Sequence, residues 1–325
     1  MSDSILQIRD LRVTFSTQMG ELRAVRGVDV DVAPGEILGV VGESGSGKSV
    51  SFLAAMGLLP QSATITGSVK LDGIELIGAK KKAIRSVRGR SLAMVFQDPL
   101  SALNPVHRVG DQIVEMIQSH QDMNTHDAEK QAVELLEIVG IPQPNDRARQ
   151  YPHEFSGGMR QRVVIAMAIA NNPKVLIADE PTTALDVTVQ AQILEVIQRV
   201  QQTFGTAVVL ITHDLGVIAR VADSVNVMYA GRNVESGPVQ SIFDHPSHPY
   251  TRGLLSSLPH EGADRLQPIA GFPPNMLAPP SGCGFAPRCE FAIDACNAEL
   301  PTLQPFDDLQ TSCIRAVDLR IGGRS

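Results

Sequence analysis

An eight-residue glycine-rich segment near the start of the chain has the composition of a loop that binds phosphate. Its residues are Gly42, Glu43, Ser44, Gly45, Ser46, Gly47, Lys48 and Ser49. The glycines let backbone N–H groups close around the phosphates of a nucleotide, and the helix expected next adds positive partial charge at its first turn. We expect Lys48 to bridge the β- and γ-phosphates, Ser49 to bind Mg²⁺ through its hydroxyl, and Val50 to line the same site. A glycine-rich turn without a ligand is the alternative, although a chance match to the whole motif is rare.

Two adjacent carboxylates supply a second part of this chemistry. Asp179 and Glu180 follow the apolar run at 175–178. Neighbouring acids in an apolar setting are costly unless a cation shares the site, and Mg²⁺ is that cation in this interpretation. We expect Asp179 to orient the metal ion and Glu180 to polarise the water that attacks the γ-phosphate. The alternative is a pair of acids that face solvent at the end of a strand.

Two other polar side chains stand at the ends of predicted strands. His213 follows the apolar run at 208–211, where an imidazole could hold the γ-phosphate and the attacking water in register. Asp214 beside it is a possible helix N-cap, so local sequence leaves a structural role for His213 open. Gln97 ends the strand-like segment 93–96 and could reach Mg²⁺ with its amide oxygen.

The elements that must position these residues have the pattern of an α/β fold. Apolar, β-branched runs alternate with helical stretches and glycine-rich turns, which predicts a largely parallel sheet. The runs at 37–41, 175–178 and 208–211 are apolar on successive residues, so each is expected to be buried on both faces. Because ligands bind at the carboxyl ends of such strands, the polar residues that follow them should converge on one site.

A second anion-binding segment begins at Phe155. Ser156, Gly157 and Gly158 follow it and open a long apolar helix, so Ser156 is predicted to be the N-cap of a helix with free N–H groups. This segment is too far along the chain from the phosphate loop to serve the same nucleotide. It could do so only if another subunit docked face to face.

Composition divides the chain into a large domain and a smaller one. We predict a nucleotide-binding domain at 1–237, with an inserted helical subdomain at about 98–172, and a proline-rich C-terminal module with short elements at 238–325. With 325 residues, 43% hydrophobic and 19% charged, the chain has the composition of a globular protein.

Charge and hydropathy exclude some classes of protein. The net charge of -7 gives no support to broad nucleic-acid binding, and the basic run Lys80 to Lys82 is interpreted as a solvated loop. No apolar run approaches the ~20 residues that cross a bilayer, and the first residues lack the apolar core of a signal peptide. The protein is therefore expected in the cytosol.

Taken together, the motifs resemble the nucleotide-binding subunits of ABC transporters. The resemblance rests on GESGSGKS at 42–49, Gln97 in VFQDP, FSGGMRQR at 155–162, VLIADEPT at 175–182, Ala184-Leu185-Asp186, and His213. It implies a P-loop NTPase cassette with a RecA-like core, an antiparallel β-subdomain and an inserted helical subdomain. It also implies two subunits that enclose two ATP molecules, with Ser156, Gly157 and Gly158 serving the partner's ATP and Asp186 coupling the two sites.

The end of the chain is similar to the tail of dipeptide and oligopeptide importer ATPases. The similarity lies in DHPSHPYT at 244–251 and CGFAPRC at 283–289, and the signature with Phe155 and Met159 resembles one of the two paralogous ATPases of those importers. This implies a heterodimer with a paralogous ATP-binding subunit, two integral membrane permease subunits, an extracytoplasmic solute-binding protein, and a peripheral position on the cytoplasmic face of the membrane. Related members handle nickel, glutathione or cationic peptides, so the solute stays open.

Phe15 is the candidate for stacking on adenine. The family usually has an aromatic residue upstream of the phosphate loop, and Phe15 is the only aromatic side chain before Phe52. A strand residue packed in the core is the alternative.

Four cysteines lie close together near the end of the chain, at Cys283, Cys289, Cys296 and Cys313. A disulfide framework is disfavoured in the cytosol, and the gaps are wider than the short knuckles of structural zinc sites. A four-thiolate iron–sulfur cluster accepts wider gaps. Some peptide-importer ATPases that this tail resembles carry a [4Fe–4S] cluster at matching cysteines, which implies one here, whereas four reduced thiols are the alternative.

Two competing functions fit the sequence less well. Soluble ABC ATPases of DNA repair or translation commonly have two cassettes in one chain, a coiled-coil insertion or basic surfaces, and none of these is seen in this sequence. A regulator that binds ATP without turnover would not need both Glu180 and His213.

Overall fold

Two β-sheets and a block of helices make up the fold in the computed structural model, which describes residues 4–183, 185–257 and 269–322. The strands are β1 Leu6–Thr17, β2 Gly20–Val32, β3 Ile37–Val41, β4 Ala63–Leu71, β5 Ile74–Glu75, β6 Leu92–Val95, β7 Val175–Asp179, β8 Ala207–Thr212, β9 Ser224–Tyr229, β10 Arg232–Pro238, β11 Gln304–Phe306 and β12 Leu309–Thr311. The helices are α1 Lys48–Ala55, α2 Lys81–Val87, α3 Pro99–Ala102, α4 Val109–Gln118, α5 Thr125–Ile138, α6 Pro144–Arg147, α7 Gly157–Ile169, α8 Val187–Phe204, α9 Leu215–Val221, α10 Val239–Asp244, α11 Pro249–Ser256, α12 Ala295–Ala298 and α13 Ala316–Gly322.

The larger sheet has the strand order β11-β12-β10-β9-β3-β8-β7-β6. From β9 to β6 all neighbours are parallel, which confirms the prediction of a largely parallel sheet. The three apolar runs form β3, β7 and β8, and every residue of these strands is buried. Continuous apolar sequence is needed here because helices cover one face of the sheet and a second sheet covers the other.

The smaller sheet is antiparallel, in the order β2-β1-β4-β5, and packs on one face of the larger sheet. Side chains of β3 alternate between the two faces: Leu38 and Val40 pack toward the smaller sheet, whereas Ile37 and Val41 pack toward the helices. Because successive side chains of a strand point to opposite faces of the sheet, each buried strand contributes to two separate cores. This is the predicted α/β cassette with an antiparallel β-subdomain.

The chain between β6 and β7 is helical and contains α3 to α7. Its apolar positions face inward: Ile113 and Ile117 of α4 and Leu136 of α5 are fully buried in the core that also contains Ile165 of α7. The repeat of three and four residues along α4 is what places these side chains on one face. The segment that follows Gln97 therefore leads directly into this helical block.

The last two strands join the larger sheet at its edge. β12 pairs antiparallel with β10, and β11 pairs with β12. Residues after 237 are therefore tied to the cassette by strand pairing, and the domain boundary predicted at 237/238 stays a prediction. Ala184 of the family motif lies outside the described residues. In the part of the chain that the structure describes, no helix is both long and apolar enough to span a membrane.

Candidate nucleotide-binding site

The predicted phosphate loop connects the end of β3 to the start of α1. Gly47, just before Lys48, has a φ of 95°, a left-handed conformation that glycine adopts without steric cost. A Cβ at Gly42 would collide with the backbone carbonyl of Met228 on β9. Glycine is therefore required both where the loop passes the neighbouring strand and where it enters the helix.

The ammonium group of Lys48 is buried and folds back onto the loop. Its Nζ donates hydrogen bonds to the carbonyl oxygens of Gly42 at 2.7 Å and Glu43 at 3.0 Å. Burial lowers the pKa of Lys48, and the nearby carboxylates of Glu180 and Asp179 act in the opposite direction. Lys48 is thus held by oxygen atoms of the loop, and its contact with nucleotide phosphates stays a prediction.

Ser49 and Asp179 meet although they are far apart in the chain. The Oγ atom of Ser49 donates a hydrogen bond of 2.8 Å to Oδ1 of Asp179, the last residue of β7. Burial raises the pKa of Asp179, and the hydrogen bond from Ser49 opposes that shift. A hydroxyl and a carboxylate are the oxygen ligands that Mg²⁺ takes from a protein when nucleotide phosphates and water complete its octahedron. The pair therefore fits Mg²⁺.

Glu180 is the centre of a group of polar side chains. Its carboxylate accepts hydrogen bonds from Nε2 of Gln97 at 3.1 Å and from Oγ1 of Thr183 at 2.7 Å, and Nδ1 of His213 lies 3.3 Å away. Burial alone would raise the pKa of Glu180, but the contacts with Thr183 and His213 together lower it. These contacts favour the ionised form of Glu180, which is the form that a general base requires.

The backbone of Glu180 is strained. Its φ of 47° lies in the left-handed region, which costs a residue with a Cβ about 1 kcal/mol or more. The amide of Glu180 donates a 2.9 Å hydrogen bond to the carbonyl of Ile211 on β8, and this bond holds the turn in place. In this turn the carboxylate lies close to Gln97 and His213, at the carboxyl ends of the strands.

Two side chains of this group need a further remark. The amide nitrogen of Gln97 donates to Glu180, and the predicted binding of Mg²⁺ by its amide oxygen stays a prediction. Thr183 was not predicted at all. Thr183 lies three residues after Glu180, in the turn before α8. Its hydroxyl at that spacing is the local signal that could have identified it as a partner of Glu180.

The signature segment, which begins at Phe155, lies at the start of α7. Ser156 is the N-cap of α7 and accepts a hydrogen bond of 3.4 Å from the amide of Met159, as predicted. A Cβ at Gly158 would collide with Val189 of α8, so glycine allows the two helices to approach closely. Asp186 caps α8 and accepts a 3.0 Å hydrogen bond from the amide of Val189. Gly158 and Asp186 therefore both lie beside Val189 of α8, so the signature and Asp186 are neighbours.

Phe15 and Val50 are both half-buried. Phe15 lies on β1 opposite Leu22 of β2 and Ala63 of β4, and packs against the core between the two sheets. Val50 follows Ser49 in α1 and packs against the same core. Their predicted contacts with a nucleotide stay predictions.

All four cysteines line one small and largely apolar cavity, although they are spread over 31 residues of sequence. Its lining includes Cys283, Cys289, Cys296 and Cys313. Burial raises the pKa of Cys313 to about 11 and also raises the pKa values of Cys283 and Cys289. Within the described residues, no three histidine, cysteine or acidic side chains are grouped so that they could hold one metal ion. The four thiols therefore line one cavity, but they are not grouped so that they could bind a single metal ion.

Comparisons with known proteins identify the family. A family model described as "ABC transporter" matches residues 25–183, and one described as "Oligopeptide/dipeptide transporter, C-terminal region" matches residues 234–296. A "Putative peptide import ATP-binding protein" of Brucella melitensis is 49% identical over 327 residues, which cover 96% of this chain and 97% of the relative. The chain belongs to the ATP-binding proteins of the oligopeptide and dipeptide branch of ABC transporters.

Two further relatives carry the name "Oligopeptide transport ATP-binding protein OppD". The Bacillus subtilis protein is 52% identical over 294 residues, covering 89% of this chain and 82% of the relative. The Mycobacterium bovis protein is 52% identical over 316 residues, covering 96% of this chain but 52% of the relative. This chain therefore spans about half the length of the mycobacterial relative.

A solved ABC cassette, described as dimeric and in a post-hydrolysis state with ADP and phosphate bound, has a similar fold. It aligns with a TM-score of 0.64 at 26% identity over 72% of this chain and 98% of the solved chain. The similarity confirms the predicted cassette fold. Lys48, Asp179 and Glu180 lie within the residues that the ABC transporter family model matches, and their contacts with a nucleotide stay predictions.

Proposed function

We propose that this chain binds and hydrolyses ATP to power a multi-subunit importer of di- or oligopeptides. The observation that carries the proposal is the carboxylate of Glu180, held by Gln97, Thr183 and His213 next to the Ser49–Asp179 pair. A base, an orienting histidine and two oxygen ligands for Mg²⁺ are the parts that hydrolysis of a γ-phosphate needs. The names of the relatives support peptides as the solute class.

Each residue has a separate role in the proposed reaction. Lys48 neutralises the β- and γ-phosphates, and Ser49 and Asp179 hold Mg²⁺, which supplies further charge neutralisation when bound. Glu180 takes the proton from the water that attacks the γ-phosphorus, while the bond to the leaving ADP oxygen breaks. His213 keeps that water and the γ-phosphate in register, and Phe15 stacks on adenine. Gln97 connects Glu180 to the helical block.

The active assembly is proposed to be a heterodimer with a paralogous ATP-binding subunit. Ser156 lies at the N-cap of α7, where free N–H groups suit an anion, and this supports a role for the signature at the partner's ATP. The similar solved cassette is itself a dimer. Two integral membrane permease subunits and an extracytoplasmic solute-binding protein complete the assembly, on whose cytoplasmic side this chain lies.

The solute is tested by reconstituting the complex of this chain, its paralogue, the permeases and the solute-binding protein in sealed vesicles. With ATP on the side of this chain, di- or oligopeptides should accumulate in the lumen, whereas nickel and glutathione should not. The matched control is the same complex with Glu180→Gln, which should transport none of them. Accumulation of nickel or glutathione in place of peptides would contradict the peptide assignment.

A [4Fe–4S] cluster at Cys283, Cys289, Cys296 and Cys313 is a further part of the proposal. The shared apolar cavity supports it, because such a cluster takes one thiolate on each iron and so needs wider ligand spacing than a single ion. The raised thiol pKa values mean that cluster assembly must release protons. Its proposed role is structural, holding together a region with short elements.

Loss of one thiol should remove the cluster. Protein purified without oxygen should be brown and contain about four iron atoms per chain. Cys313→Ser should lose both the colour and the iron, whereas Ser312→Ala, a change at a neighbouring residue that lines the same cavity, should keep them. Stoichiometric zinc without iron in the unmodified protein would overturn the assignment, and the absence of both metals would favour four reduced thiols.

A further inference from the structure

Glu43 of the phosphate loop is held by residues from the C-terminal part of the chain. Its backbone amide donates a 2.8 Å hydrogen bond to the hydroxyl of Tyr250 on α11. Its carboxylate accepts two hydrogen bonds from the guanidinium of Arg288, at 2.7 and 3.0 Å. The partners lie 207 and 245 residues further along the chain. Neither belongs to the group around Glu180 described above.

Arg288 is almost completely buried, and all five of its N–H donors are used. Its side chain is 4% exposed. Besides the two bonds to Glu43, it donates to the hydroxyl of Tyr229 at 3.1 Å and to the carbonyls of Ile269 at 3.2 Å and Ala270 at 2.9 Å. The guanidinium has five N–H donors in a rigid plane, so a fully satisfied set fixes its orientation. The carboxylate of Glu43 is fixed with it.

Tyr250 is held equally firmly. Its ring is fully buried and packs on Tyr229 with the ring centroids 4.5 Å apart, and its amide donates a 3.1 Å hydrogen bond to Nδ1 of His248. The buried carboxylate of Glu235 on β10 accepts the amides of Ser247 and His248. The turn before α11 is thereby anchored to the larger sheet, and the hydroxyl of Tyr250 has a fixed position for the amide of Glu43.

The remaining polar group of Glu43 faces the lysine of the loop. Its carbonyl accepts a hydrogen bond from Nζ of Lys48. We propose that Arg288 and Tyr250 are positioning residues for nucleotide binding, which hold the first turn of the phosphate loop through Glu43. The affinity for ATP then depends on the C-terminal part of the chain. This inference rests on the proposed binding of ATP and adds the residues that shape the loop.

A simpler role for Arg288 and Tyr250 would be to attach the C-terminal part of the chain to the cassette, without any effect on nucleotide binding. The two roles differ in what a substitution changes. Attachment alone affects the thermal stability of the protein, whereas positioning affects the affinity for ATP in protein that stays folded. A loop displaced by a fraction of an ångström loses its fit to the phosphates, and misplacements of about 1 Å can cost about 100-fold in related contexts.

The test compares arginine variants in the full-length chain. Arg288→Gln should weaken the binding of ATP, measured by calorimetry with Mg²⁺ present, by about tenfold. Arg288→Lys should not restore it, because an ammonium cannot make the two parallel bonds. The matched control is Arg315→Gln, which removes bonds to Phe291 and Asp318 within the C-terminal part but none to the loop. Its affinity for ATP should stay within about twofold of the unmodified chain.

A double-substitution cycle checks that Arg288 acts through Glu43. Glu43→Gln and Arg288→Gln should each weaken ATP binding, and the combined variant should be no weaker than the poorer single variant. Tyr250→Phe removes only the hydroxyl and should also weaken the binding of ATP. This variant tests the same inference if Arg288→Gln does not fold. In the assembled complex, Arg288→Gln should raise KM for ATP and leave kcat at saturating ATP nearly unchanged.

The outcomes separate this inference from the proposed function. If the unmodified chain binds ATP and folded Arg288→Gln and Tyr250→Phe bind it equally well, the positioning role is wrong and the function stands. Equal losses of affinity in the Arg288 and Arg315 variants would also overturn it, because the effect would then not pass through Glu43. If the unmodified chain fails to bind ATP, the proposed function itself is wrong.

Discussion

Glu180→Gln is expected to leave ATP binding intact and to lower the rate of ATP hydrolysis by about 100- to 10,000-fold. The amide can still accept a hydrogen bond from Thr183 and can contact the attacking water, but it cannot take the proton. Because binding precedes hydrolysis, ATP-bound dimers should accumulate. The measurement is phosphate release by the complex together with the mass of the ATP-bound species, with the equivalent change made in the paralogue.

The control for this prediction is another change of a carboxylate to an amide. Glu195→Gln alters an exposed glutamate on α8, outside the site, and should leave the rate of hydrolysis unchanged. Unaltered turnover in Glu180→Gln would show that another group activates the water. His213, 3.3 Å from Glu180, would then be the first residue to test.

Lys48→Ala is expected to weaken the binding of ATP itself. The substitution removes a buried cation that neutralises phosphate charge in the ground state as well as in the transition state. Loss of hydrogen bonds to a charged group is worth about 1.5–3 kcal/mol, so the dissociation constant for ATP should rise by about 10- to 100-fold. Calorimetric titration of the full chain with ATP and Mg²⁺ measures this directly.

Lys81→Ala is the matched control, since Lys81 is exposed at the start of α2. It should bind ATP as the unmodified chain does. If Lys48→Ala also keeps its full affinity while its hydrolysis falls, Lys48 acts only in the transition state, and its assignment as a ground-state ligand is wrong.

The sequence indicates which side chains of the site lie close together, because each of them ends or follows a strand of the parallel sheet. The phosphate loop, Asp179, Glu180 and His213 each stand directly after a run that is apolar at successive positions. In a parallel sheet, such runs end at the same edge. Burial of β3, β7 and β8 on both faces then follows from residue type alone.

The contacts that the sequence did not predict join distant parts of the chain. Arg288 meets Glu43 across 245 residues, and no periodicity or spacing relates the two. The pairing of β12 with β10 is similar, because three-residue strands carry too little pattern to be assigned to a sheet edge. For the cysteines, spacing indicated a shared environment but could not fix the distances between sulfur atoms.

The most direct test of the account is the rate of phosphate release by this chain in two states. Purified alone, the chain should hydrolyse ATP slowly, because in the proposed heterodimer the signature helix of the second subunit completes the site. Assembled with its paralogue, the permeases and a peptide-loaded solute-binding protein, it should be at least about tenfold faster, in line with completion of an electrostatic site. Full activity of the isolated monomer, unaffected by the partners or by peptide, would contradict the account.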